Sequence, residues 1–241
     1  MQVKLGVNVD HIATLRQARG MGLPDPVDAA KRCFAAGADL IVCHLRQDRR
    51  HIQDSDVANM RRELRGHIHL EMSCSAEIEK IALKLRPDSV CLVPEGPREL
   101  TTQGGLKLAG ATVKTVEKMI KDFSKAGIGV SLFIDPDANA LRVAHAVGAD
   151  TVELCTKAYA EAKGTKKQAE ELENLEVASL MARELKLHLH SGHGLGYHNV
   201  APVAAIQGME CLNIGFSIIS RAVFTGLDKA VADMKEIIVR A

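Results

Sequence analysis

Short segments that are apolar at nearly every position alternate along this chain with longer segments whose apolar residues recur every three or four positions. A parallel sheet wrapped by helices buries both kinds at once. The short segments are residues 3–9, 40–44, 68–72, 89–93, 129–134, 151–155, 187–190 and 211–215, most of them rich in Val, Ile and Leu. They read as strands covered on both faces.

The segments between them carry helix punctuation. Asp25-Pro26-Val27-Asp28 supplies an N-cap, a first-turn proline and an acidic third residue; Val27, Ala30 and Phe34 then share a face up to Gly37. Val57, Met60 and Leu64 repeat the pattern up to Gly66. Ser75 is the expected cap of a helix whose stripe is Ile78, Ile81, Ala82 and Leu85. Val116, Met119, Ile120 and Phe123 precede Gly127, and Leu141 and Val147 precede Gly148. Ala36-Gly37-Ala38-Asp39 and Val147-Gly148-Ala149-Asp150 form a faint repeat, each a helix-to-strand corner. About eight such units predict one closed (β/α)8 barrel over residues 1–241, with extra helices. An open doubly wound sheet is the main rival, but no GxGxxG opens the first helix.

Composition narrows the function classes. A net charge of +1 provides no long-range field for nucleic acid or anionic lipid. No apolar run approaches the length of a membrane span, and the first residues read as a strand and not as a signal peptide. The six cysteines are scattered, mostly in apolar runs, as expected of free thiols in a reducing cytosol. With 3% aromatic residues, the core must be aliphatic.

Barrel chemistry sits at the carboxyl ends of the strands. There the sequence has Asn8, Asp10 and His11; His44 and Arg46; Glu71; Glu95; Asp135; Glu153 and Thr156; His190 and His193; and Asn213. Gly192-His193-Gly194 and Asn213-Ile214-Gly215, before a helix beginning near Ser217, suit a phosphate held by backbone amides. Arg46 to His51, with Thr101-Thr102-Gln103-Gly104-Gly105 on the long non-periodic stretch 95–110, suits a second phosphate. A tight turn or a solvated charge run would produce the same local patterns. His44, Glu71 and His193 are the proton carriers best placed to surround a ligand, whereas His67, His69, His145 and His188 read as structural.

Ordered motifs along nearly the whole chain carry a resemblance. Gly6-Val7-Asn8-Val9-Asp10-His11-Ile12-Ala13-Thr14-Leu15-Arg16, His44-Leu45-Arg46, Leu70-Glu71-Met72, Cys91-Leu92-Val93-Pro94-Glu95, Ser131-Leu132-Phe133-Ile134-Asp135 and Gly192-His193-Gly194-Leu195 resemble the pyridoxine 5'-phosphate synthase family. The resemblance implies a cytoplasmic, homo-octameric enzyme without metal or organic cofactor. Its reaction would condense 1-deoxy-D-xylulose 5-phosphate with 3-amino-2-oxopropyl phosphate to pyridoxine 5'-phosphate, phosphate and water. By the same resemblance His44 and Glu71 accept protons and His193 donates one. Asp10, His11, Arg46, His51 and Thr101 would hold the sugar phosphate; Asn8, Arg19, Gly194, Gly215 and Phe216 would hold the aminoketone phosphate. Three residues depart from the family pattern: Phe216 and Cys155 stand where histidines are usual, and Lys157 where a glycine is.

Three other readings compete. Lys157, just past the sixth strand, is the nucleophile expected of a Schiff-base aldolase. His188, His190 and His193, with Asp135 or Glu153, are the ligands expected of a metal hydrolase. A non-catalytic ligand-binding barrel is the third, disfavoured by so many titratable groups on one rim.

Overall fold

Each apolar run becomes a strand, and every neighbouring pair of strands is parallel. The computed structural model describes residues 2–96 and 104–241. Strands β1 (Lys4–Asn8), β2 (Leu40–His44), β3 (His67–Met72), β4 (Ser89–Leu92), β5 (Gly129–Ile134), β6 (Thr151–Cys155), β7 (His188–Gly192) and β8 (Met209–Ile214) pair in chain order into a closed barrel. Closure is made by β1 on β8, in the register Lys4↔Cys211 to Val7↔Ile214.

Helices α1 (Asp10–Arg19), α2 (Pro26–Ala35), α3 (Asp54–Glu63), α4 (Ala76–Leu85), α5 (Ala111–Lys125) and α6 (Ala138–Ala146) follow the first five strands. Then come α7 (Lys157–Glu161), α8 (Lys166–Glu184), α9 (Val200–Ala204), α10 (Phe216–Thr225) and α11 (Leu227–Arg240). Asp25 caps α2 as expected, its carboxylate accepting from Val27 N at 2.8 Å. Ser75 holds the N-cap position of α4, but its hydroxyl makes no capping bond. The last two strands are displaced from their expected limits: β7 runs on to Gly192 and β8 begins at Met209. The barrel ladder explains both, since Cys155 pairs with Gly192 and Leu189 with Met209 although glycine and the flanking charges hide the strand pattern. All six cysteines are free.

Alternate strand positions face outward to the helices or inward to the barrel axis. The outward set, including Leu5, Val7, Ile41, Cys43, Ile68, Leu70, Leu132 and Leu154, joins the helix faces in one large aliphatic core. Each such side chain, fully buried, stabilises the fold by about 1.5–3 kcal/mol. The inward set is different. Small apolar clusters, Leu40-Val42-Cys211 and Cys91-Val93-Phe133-Cys155, flank buried His69, Ser131, Glu153 and Asn213. Glycines make room for this polar belt: a Cβ on Gly192 would lie 2.3 Å from Glu153 Oε1, and one on Gly6 2.1 Å from Asn213 Oδ1.

Burial in that belt penalises charge. The Glu153 carboxyl is pushed up to about 7 by desolvation, against which Asn213 Nδ2 donates to Oε2 at 2.7 Å. His69, beside His190, is held well below the usual imidazole range, again mainly by burial. A carboxyl raised in the folded state binds its proton more tightly there than in the unfolded chain. Stability from this source is therefore full at low pH and is lost as pH rises from the unfolded value through about 7. Between pH 5 and 8, the native chain is expected to lose about 1–3 kcal/mol more unfolding free energy than Glu153→Gln, whose amide cannot ionise. Urea unfolding at both pH values checks this; parallel pH profiles for the two proteins would refute it.

Candidate active site

Above the polar belt, at the carboxyl ends of the strands, lies a cavity of about 800 Å³. Asn8, Asp10, His11, His44, Arg46, Glu71, His193, Gly194, Gly215 and Phe216 all line it, so the structure brings together ten residues singled out from the sequence. Glu153, Asn213, Phe133, Tyr197, His198, Ser217, Ser220 and Arg221 line it as well.

The floor is organised by Asp10. This nearly buried carboxylate accepts from His44 N at 2.8 Å through Oδ1 and from Asn8 Nδ2 at 3.0 Å through Oδ2, while its own N–H donates to Asn8 Oδ1 at 2.8 Å. One side chain thus sets the end of β1 against the end of β2. His44 Nδ1 then lies 3.7 Å from Glu71 Oε2, and His44 Nε2 is buried without a hydrogen-bond partner among the described residues. Desolvation, followed by the Arg46 charge, holds the His44 imidazole well below its ordinary value and hence neutral. Desolvation, with Asp10 and Glu153 nearby, raises the Glu71 carboxyl well above the carboxylate range. A raised carboxyl is a stronger base once ionised and a competent acid before that.

Arg46 is 2% exposed, with Nε 3.2 Å from Glu95 Oε1. That contact is an ion pair without hydrogen-bonding geometry, and both Nε and Nη2 lack hydrogen-bond partners among the described residues. The N–H groups left open beside this ion pair suit an anionic oxygen at the cavity wall. The adjacent cations are engaged elsewhere: Arg49 with Asp54 and Glu77, Arg50 with Asp48. His51 approaches His44 edge-on at 6.2 Å, and its Nδ1 accepts from Ile52 N at 2.8 Å, which leaves Nε2 as the ring's donor.

Across the cavity, His193 adopts a left-handed backbone, φ 83°, unusual for a residue with a Cβ. Thr156 Oγ1, fully buried, lies 2.6 Å from His193 O and 2.8 Å from Gly192 O and shares its single proton between the two carbonyls, which holds the turn. Asn199 closes the next turn, accepting from Gly196 N at 2.7 Å and donating to Gly194 O at 3.2 Å. Burial, then the nearby Lys157 charge, lowers the His193 imidazole. Gly215 packs against Asn8, where a Cβ would come within 2.9 Å of the Asn8 Cβ, and opens α10 one residue earlier than expected, at Phe216. Amides at this helix start face the cavity with the positive end of the helix dipole.

Some expected residues are placed elsewhere. Arg19, at the end of α1, lines a separate surface cavity with Leu15, Leu23 and Leu227. Thr101, Thr102 and Gln103 lie outside the described residues, as does the middle of the 95–110 stretch. Asp135 anchors the far arm of that stretch, accepting from Gly105 N and Lys107 Nζ, each at 2.7 Å. Lys157 begins α7 at 3.7 Å from Glu161, not on the cavity wall. His188 pairs with Glu210 at 2.9 Å at the opposite barrel end, so the three strand-seven histidines do not converge. Arg221, over the Tyr197 ring at 4.5 Å and bonded to Asp233 at 2.6 Å, is a cavity residue that sequence reasoning missed. Its position mid-helix in α10 gave no signal.

The fold is shared by solved structures of low sequence identity. KGPDC from Streptococcus mutans superposes with a TM-score of 0.66 at 14% identity, covering 100% of this chain and 99% of that one. Thiamine phosphate pyrophosphorylase from Pyrococcus furiosus gives 0.59 at 16% identity, covering 98% and 95%. Sequence relatives are far nearer. A pyridoxine 5'-phosphate synthase from Elusimicrobium minutum (strain Pei191) is 54% identical over 236 residues, 98% of both chains. Another, from Synechococcus sp. (strain JA-2-3B'a(2-13)), is 53% identical over 234 residues, 97% of this chain and 98% of that one. Residues 5–240 also match the family described as pyridoxal phosphate biosynthesis protein PdxJ, and the chain belongs to that family.

Proposed function

We propose that this chain is a pyridoxine 5'-phosphate synthase that condenses 1-deoxy-D-xylulose 5-phosphate with 3-amino-2-oxopropyl phosphate. The observation that carries this reading is one cavity with the His44–Glu71 pair on its floor and two anion-binding walls beside it. One wall is Arg46, with its open N–H groups; the other is the Gly194 turn and the start of α10 at Gly215. A pocket so furnished suits the joining of two phosphorylated molecules.

The chemistry asks for proton transfer above all. The aminoketone's own amine attacks the sugar ketone, so no lysine nucleophile is required. Dehydrations, phosphate elimination and ring closure follow, each needing a proton taken from carbon, nitrogen or oxygen or delivered to a leaving group. Neutral His44, and Glu71 once it has given up its proton, act as acceptors, and His193, from the opposite wall, acts as donor. Asp10 orders the floor while His11, His51 and Arg46 hold the sugar phosphate; Asn8, Gly194, Gly215 and Phe216 hold the aminoketone phosphate. Where the family pattern has a histidine, the Phe216 ring lies tilted at 59° to His11 with centroids 5.4 Å apart and offers no hydrogen bond, so its backbone amide at the start of α10 is the group left to meet an anion.

The enzyme acts as a cytoplasmic homo-octamer without metal or organic cofactor in this reading. Arg19 reaches an aminoketone phosphate either by movement of the α1 end or from another copy. Exposed Leu15, Met21 and Leu23 lie beside Arg19 and are apolar enough to pack between copies. The aldolase reading finds no support in the position of Lys157, which pairs with Glu161.

Two substitutions test the assignment. Glu71→Gln keeps the fold and substrate binding but lowers turnover at least about a hundredfold; near-normal steady-state rates would remove Glu71 from the mechanism. Arg46→Ala raises KM for the sugar phosphate about tenfold or more, with a smaller change in KM for the aminoketone. An unchanged sugar-phosphate KM would put that phosphate on another wall.

A further inference from the structure

Beneath the cavity floor, three unlike ligand atoms meet in the barrel interior. His69 Nε2 lies 4.0 Å from Glu153 Oε2, and Cys91 Sγ lies 3.8 Å from the same oxygen. All three ligand atoms fall within 4.8 Å of one another, on residues that are 1%, 2% and 0% exposed. His69 Nε2 has no hydrogen-bond partner among the described residues, although it is fully enclosed.

The other side of the His69 ring explains its aim. Nδ1 sits 2.6 Å from Ser89 Oγ, which is also 2.7 Å from His67 Nε2. One hydroxyl proton serves one ring, so Ser89 accepts from the ring it does not donate to. When His69 Nδ1–H donates to Ser89, Nε2 turns a lone pair toward Glu153 and Cys91. A hydrogen-bonded ring nitrogen of this kind is the usual support behind a metal-ligating histidine.

We propose that His69, Cys91 and Glu153 bind a borderline-soft divalent cation of the zinc type, with water from the cavity above in the fourth position, and that occupation of this site inhibits the enzyme. Imidazole, thiolate and carboxylate together match zinc ligand chemistry. A tetrahedral site with ordinary zinc bond lengths has ligand–ligand edges of roughly 3.3–3.6 Å. The two edges to Glu153, 4.0 and 3.8 Å, need only a small contraction to reach them, which rotation of the carboxylate supplies, and the His69 and Cys91 side chains close the third, which starts within 4.8 Å. Binding expels the Cys91 thiol proton, and the Glu153 proton where that carboxyl carries one, to solvent and forms the metal–sulfur and metal–oxygen bonds; no electron is transferred. Inhibition follows because the cation claims Glu153, which otherwise lines the cavity and holds Asn213. The inhibitory half rests on the synthase reading, whereas the binding half does not.

Cobalt(II) titration of the chelator-treated full chain tests the site without using turnover. One equivalent is expected to give a thiolate-to-cobalt charge-transfer band that zinc abolishes by displacement. Cys91→Ser should remove the band, and His69→Gln should weaken cobalt binding at least tenfold with the circular dichroism of the barrel retained. Should Cys91→Ser not fold, Cys91→Ala takes its place in the titration. No band in the native chain, or a band that survives loss of the Cys91 thiol, overturns the site. The other convergent group, Asp10, His44 and Glu71, contains no sulfur and cannot produce that band. Zinc is expected to lower turnover of the native chain and spare Cys91→Ser; equal inhibition of both, with the band intact, overturns the inhibitory half alone.

Discussion

Pairing of β1 with β8 is the constraint on which everything else in this molecule depends. It joins residues more than 200 positions apart in sequence and leaves the sheet without an edge. Through it Gly215 packs on Asn8, so the start of α10 and the end of β1 share one wall of the cavity. A slip of β8 by one residue in this register would send Asn213 to the helix side and Leu212 inward. Asp10 then repeats the same task locally, tying the end of β1 to the backbone of His44.

Closing a barrel over polar side chains has a cost that the site turns to use. Bulky branched residues usually fill such interiors, yet here buried His69, Ser131, Glu153 and Asn213 share the interior with two small apolar clusters. Desolvation there and on the floor above raises the carboxyls of Glu71 and Glu153 and lowers the imidazoles of His44 and His69. Acids and bases are thereby drawn toward one another in proton affinity, which suits a reaction built from successive proton transfers. The surrounding aliphatic core, continuous from Leu5 to Ile238, supplies the stability that the polar belt gives up.

Much of this was legible in the chain. The limits of β2, β5 and β6 follow directly from uninterrupted apolar runs, because buried parallel strands carry no polar face to blur them. The ends of β7 and β8 did not, since Ser191, Gly192 and Glu210 extend a ladder without looking like strand residues. In the site, His44, Glu71 and His193 stand out as titratable residues at strand ends. Arg221 does not, because its approach to the cavity depends on how α10 lies over Tyr197. Arg19 shows the converse: a motif identifies the residue, but the fold turns its side chain onto a different surface.

Sequence by itself determined the class of fold, the family, and the set of residue types available for chemistry, because hydrophobic periodicity and ordered motifs are local properties of the chain. Tertiary structure alone decided which of those groups are charged and which lack partners. The neutrality of His44, the raised carboxyl of Glu71 and the open N–H groups of Arg46 arise from burial and from neighbours contributed by distant strands. Desolvation depends on what surrounds a group in space, and no stretch of sequence encodes it alone.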